Sequence, residues 1–114
     1  MNTEELHRLG VNLVKNFVVV FPIDRLPPLS QLPNESGFIV NTHTHNLPGE
    51  HWLAVWIGAS KIYVFDPMGL YYPPLLSSYL HRSCKSVVYS KELIQQVNTK
   101  ICGELSLIWL ANRG

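Results

Sequence analysis

Apolar residues in this chain fall into short blocks, each cut off by proline, glycine or a polar pair. Near the start, Leu6, Leu9, Leu13 and Val14 recur at helical spacing behind Thr3, a residue suited to an N-cap. They predict a first helix, interrupted at Gly10. Residues 18–21 are valine and phenylalanine and read as a short strand. Pro22, Pro27, Pro28 and Pro33 then impose a loop, because proline lacks the amide proton that helices and inner strands need.

Residues 37–42 read as a buried strand, and residues 46–49 as a turn. Residues 51–57 are apolar with only weak alternation, the pattern of a central strand covered on both faces. Gly58-Ala59-Ser60 turns the chain and residues 61–65 return it, the clearest hairpin in the sequence. Asp66-Pro67-Met68-Gly69 ends that strand. Residues 74–81 predict a helix with proline in its first turn, and residues 86–89 a further strand. Ser90 opens a short helical stretch, with Glu92 in its first turn. A last helix runs from Cys102 to about residue 112, with Leu105, Ile108, Trp109 and Leu110 at helical spacing. The expected fold is α+β: an antiparallel central sheet of three to five strands, flanked by helices, in a single domain over residues 1–114.

Composition narrows the function classes. Hydrophobic residues make up 46% of the 114 and charged residues 15%, which fits a packed core and not a disordered chain. A net charge of +1 offers no bulk attraction for nucleic acid or a membrane surface. The apolar runs are too short to span a bilayer, and the acidic start Met1-Asn2-Thr3-Glu4-Glu5 lacks a signal-peptide pattern. The expectation is an intracellular protein, with Cys84 and Cys102 as free thiols.

Scarce charge makes the remaining polar residues easier to interpret. Cys102 opens the last predicted helix, where unpaired N–H groups and the helix dipole favour a thiolate. Gly103 beside it lets a substrate backbone come close. His51 opens one strand of the hairpin and Asp66 closes the other. Pairing forward from His51 and backward from Asp66 would set the two side by side. Gln96 or Gln95, upstream of Cys102, could point an amide N–H at an oxyanion, with the Cys102 backbone N–H as second donor. Cysteine, histidine, carboxylate and glutamine are the parts of thiol-based acyl transfer. Each also has a plainer reading: a buried structural cysteine, a polar pair at a strand end, and surface glutamines. Trp52 reads first as core and second as a shield for the His51 ring. His43 and His45 could share a strand face and join His81, Cys84 or Cys102 around zinc, but no paired-cysteine spacing supports this, so no metal or other cofactor is expected.

Taken in order, these residues resemble the adenovirus-type cysteine proteases, the adenain family, which shares its core with SUMO-specific proteases. The likeness begins at Ile39-Val40-Asn41-Thr42 and continues through Gly49-Glu50-His51-Trp52 and Tyr63-Val64-Phe65-Asp66-Pro67-Met68-Gly69. It ends at Gln96-Val97-Asn98 and Cys102-Gly103, so that it covers residues 36–112. The resemblance implies a papain-like cysteine peptidase core, truncated at its C-terminus relative to the family's further helices. It implies Cys102 as nucleophile, His51 as general base and Asp66 as its orienting carboxylate. An aspartate here is the SUMO-protease choice. Gln96 matches the oxyanion glutamine of that branch, and Gln95 the offset of the adenoviral one.

The implied activity is endopeptidase cleavage after glycine-containing sequences, in viral or transposon-encoded precursors, in a host nucleus or virion. The resemblance also brings in an activating peptide, disulfide-linked through Cys84, and activating DNA, though the chain has no evident basic patch. Two alternatives stand beside this reading: an isopeptidase that removes ubiquitin or SUMO-like modifiers, and a non-catalytic binding module on the same fold.

Overall fold

The computed structural model describes residues 3–42, 52–66, 73–90 and 102–113. Among these are helices α1 (Thr3–Leu13), α2 (Pro74–Leu80) and α3 (Cys102–Ala111). The strands are β1 (Phe17–Pro22), β2 (Ser36–Asn41), β3 (Trp52–Ile57), β4 (Lys61–Phe65) and β5 (Ser86–Tyr89). Short 3-10 turns at Ile23–Arg25 and Leu29–Gln31 shape the proline-rich connection. No described helix is long and apolar enough to cross a membrane.

The five strands form one sheet in the order β1-β2-β3-β4-β5. It is mixed, not antiparallel as expected from the sequence. β2, β3 and β4 are antiparallel neighbours, whereas β1 runs parallel to β2 and β4 parallel to β5. The connections explain the difference. A two-residue turn can only reverse the chain, but residues 23–35 and the α2 segment are long enough to carry it back to the starting end of the sheet.

β3 is the middle strand and is buried at every position. Alternation divides it between two cores. Trp52, Ala54 and Trp56 join Phe65 and Ile39 against α1 and α3. Leu53, Val55 and Ile57 join Ile62, Val64, Phe38 and Val40 against Leu76, Tyr79 and Leu80 of α2. The sheet is therefore covered on both faces, which accounts for the missing polar alternation in residues 52–57.

Leu6 in α1 and Val14 just after it are buried, while Leu9 and Leu13 are exposed. Gly10 does not interrupt the helix. It lies on the buried side, where a Cβ would come within 2.4–2.7 Å of the Phe17 ring. The glycine is thus a notch for an aromatic side chain, at a helix-propensity cost of about 1 kcal/mol relative to alanine. Gly37 plays the same role in β2. A Cβ there would meet Leu110 Cδ2 at 2.8 Å and Trp56 Cε3 at 2.9 Å, so α3 lies close to the sheet because position 37 has no side chain.

Tyr79 fastens the proline-rich loop by donating its hydroxyl proton to the Pro27 carbonyl at 2.5 Å. Burial pushes the phenol up from 10.0 to about 12, against a smaller opposing effect of the Arg82 charge. A phenol that ionises more readily unfolded than folded stabilises the fold below the unfolded value and loses that contribution as pH rises.

Gly37→Val is expected to overpack this contact and cost about 1–3 kcal/mol. Thermal unfolding should show a clearly lowered midpoint, and an unchanged midpoint would mean that α3 does not need the notch. Tyr79→Phe is expected to cost about 1–2 kcal/mol at neutral pH, through the unpaired Pro27 carbonyl. Between about pH 10 and 12, where the folded and unfolded phenols differ, wild-type stability should fall more steeply than that of Tyr79→Phe. Parallel pH curves for the two proteins would contradict this.

Candidate active site

Strand direction gathers the chemistry at one edge of the sheet. β1, β2, β4 and β5 end there and β3 begins there, as the pairs Pro22↔Asn41, Asn41↔Trp52, Ala54↔Phe65 and Val64↔Tyr89 require. Asp66 follows Phe65 and is 1% exposed. Ser90 follows Tyr89, and its N–H bonds the Val64 carbonyl at 2.8 Å. Thr42, Trp52, Asp66 and Ser90, which border residues 43–51, 67–72 and 91–101, therefore all lie at this edge.

Helix α3 points its N-terminus at the same edge, and four contacts fix its direction. The buried Ser106 hydroxyl donates to the Trp52 carbonyl at 3.3 Å. Trp109 stacks on Phe65 with ring centres 5.3 Å apart and planes within 8°. Leu110 lies by Gly37 and Trp56. The Arg113 guanidinium sits over the rings of Trp109, at 4.5 Å, and Tyr63, at 4.9 Å. From Ser106 to Arg113 the contacts thus move from the start of β3 toward the β3–β4 turn. The first turn of α3, opened by Cys102, lies on the Trp52 side. The first-turn N–H groups and positive end of the helix dipole face the edge that holds Asp66.

The sequence-derived residues divide by where they fall. Asp66 is at the edge, buried, and engaged in a polar interaction. Cys102 is the first residue of α3. His51, Gln95, Gln96, His43 and His45 lie outside the described residues. Trp52 packs in the core between β3 and α3, as its simplest reading held. Among the described residues, its indole N–H and that of Trp109 are buried without a hydrogen-bond partner.

The hairpin register differs from the expected one by two positions. Ala54 faces Phe65 and Ile57 faces Ile62, so the ladder leads Asp66 toward Leu53 and not toward position 51. The turn is the reason. Gly58 donates its N–H to the Lys61 carbonyl at 2.8 Å, which leaves Ala59-Ser60 as the two-residue tip. A shift of two preserves side-chain alternation, whereas a shift of one would reverse it.

Cys84 is an exposed free thiol at the other edge of the sheet. It lines a groove of about 410 Å³ with Leu32, Ile57, Ile62 and Lys85, near the β3–β4 turn. Lys85 there bonds the Gly58 carbonyl at 2.8 Å and the Asn34 side chain. Among the described residues no three histidine, cysteine or carboxylate side chains are grouped to hold a metal ion.

Two polar residues at the edge escaped the sequence reading. Asn41 is buried opposite Trp52, and Ser106 is fully buried one helical turn after Cys102. Ser106 could have been noticed as a lone hydroxyl within the apolar run Leu105-Ser106-Leu107-Ile108. Scans against family models and against curated proteins match this chain to no known family and no characterised relative.

Proposed function

We propose that this chain is a cysteine endopeptidase with a papain-like core of adenain type. It hydrolyses peptide bonds after glycine-containing sequences, with viral or transposon-encoded precursors as substrates. One observation carries the reading. Buried Asp66, Trp52 directly after His51, and the N-terminus of a helix opened by Cys102 converge on one sheet edge. A carboxylate is costly to bury, and one buried at the sheet edge toward which the N-terminus of α3 points is better explained by chemistry than by packing.

In this mechanism His51 takes the Cys102 proton, and the thiolate attacks the scissile carbonyl carbon. The oxyanion accepts hydrogen bonds from the Gln96 amide, or that of Gln95, and from the Cys102 backbone N–H. When the intermediate collapses, the C–N bond breaks and His51 gives its proton to the departing amine, leaving a thioester. Water, deprotonated by His51, then releases the acid and restores the thiol. Asp66 accepts the other ring N–H of His51 and holds the productive tautomer.

The same reading assigns Cys84 to an activating peptide through a disulfide, and its exposure as a free thiol beside an apolar groove supports this. Because Cys84 sits at the other edge of the sheet, such a peptide would act on the site from a distance.

Cleavage of a glycine-rich reporter peptide tests the assignment. Cys102→Ala is expected to lower kcat by at least about 1,000-fold, and Asp66→Asn by about 10²–10⁴-fold, both with little change in KM. Full activity in Cys102→Ala would overturn the enzyme reading. If a ubiquitin-like vinyl sulfone labels Cys102 while glycine-rich peptides are left uncut, the substrate is a modifier linkage and the isopeptidase alternative holds.

A further inference from the structure

We infer that Ser106 is a positioning residue for the nucleophile. This rests on the proposed role of Cys102. Ser106 is completely buried, so its hydroxyl must find an acceptor inside the protein. In a helix the nearby choice is the carbonyl four residues back, which here belongs to Cys102 itself. The hydroxyl instead reaches across to the sheet and donates to the carbonyl of Trp52.

The two ends of that bond are significant. Trp52 is the residue immediately after His51. Ser106 is one turn after Cys102, on the same helix face and about 6 Å further along the axis. The bond therefore ties the backbone beside the base to the helix turn that carries the nucleophile. Further along, α3 meets the sheet through apolar packing at Leu107, Trp109 and Leu110, with the Arg113 guanidinium over Tyr63 just past the helix end. Those apolar contacts can slide by fractions of an ångström at little cost, since dispersion has no strong directional preference. A hydrogen bond to a backbone carbonyl fixes both distance and direction. Ser106 thus sets the position of the first turn of α3 relative to the start of β3, where thiol and imidazole must meet.

Alkylation is followed in a Cys84→Ala background, which leaves Cys102 as the only thiol of the chain, and activity and unfolding are compared with Cys84 in place. The first readout is the rate of iodoacetamide alkylation against pH; the others are kcat and KM on the reporter peptide, and the unfolding midpoint. Ser106→Ala is expected to move the alkylation midpoint up toward the ordinary thiol value of about 8.5. It should lower kcat by about 10- to 100-fold, leaving KM within about twofold. Ser106→Thr and Ser106→Val are equal in volume and differ in the hydroxyl. The threonine should retain the low alkylation midpoint and the valine lose it, which keeps the test valid if Ser106→Ala does not fold.

An alkylation profile and kcat unchanged in Ser106→Ala, or identical in the threonine and valine variants, would overturn the inference and leave the peptidase reading intact. A lowered unfolding midpoint without any change in the profile would reduce Ser106 to a packing residue. If Cys102 alkylates as an ordinary thiol when Ser106 is present, there is no activated thiol to position, and both proposals fall.

Discussion

The close seat of α3 against β3 governs the rest of the molecule. It depends on what is missing at Gly37: any side chain there would collide with Leu110 and Trp56. With the notch open, Leu110 lies down on the sheet, Trp109 stacks on Phe65 and Ser106 reaches Trp52. These contacts run in order along β3, so they fix the direction of the helix as well as its distance. The N-terminus of α3 then has one place to be, at the edge where four strands end and β3 begins. A change at Gly37 would push first on Leu110 and Trp56, and through the helix would shift the turn that Cys102 opens.

This geometry gives a physical account of where the polar residues are buried. Of the four buried polar residues among those described, Asn41, Asp66 and Ser106 belong to the same sheet edge or the helix turn that meets it, and Ser36 lies at the other end. Each has a polar contact, which meets the requirement that buried polar groups be paired. A fold selected for stability alone would gain by replacing such groups with apolar ones of similar size. Their grouping at the converging strand ends is the pattern expected of a site, whereas Ser36, buried at the opposite end of β2, is satisfied locally by the Pro33 carbonyl.

Much of this was legible in the sequence because the local signals agree with the fold. The run at residues 52–57, the Gly58-Ala59-Ser60 turn and the proline opening α2 each specify their element without tertiary help. The failures have a common cause: they depend on what lies across from a residue. Periodicity marked Leu9, Leu13 and Ile108 as apolar positions, but the structure exposes them, since only part of each helix meets the sheet. Gly10 looked like a helix breaker because propensity does not register the Phe17 ring that fills its space. The parallel outer pairs were missed because strand patterns are alike in both directions, and only the lengths of residues 23–35 and of the α2 crossover distinguish them. At the site, the position of Asp66 at a strand end was readable, while the hairpin register and the Ser106–Trp52 contact were set by bonds between distant residues. His51 and the two glutamines lie beyond the described residues, so their part in the account comes from the sequence.

The central claim is that Cys102 is a thiol activated by His51 at this edge. Covalent trapping tests it directly. The full chain is incubated at neutral pH with a peptidyl electrophile ending in glycine, and the adduct is located by intact and fragment mass spectrometry. The account predicts a single adduct on Cys102, lost in His51→Ala even though the thiol remains. Labelling of Cys84 alone, or of Cys102 at equal rates with and without His51, would contradict it.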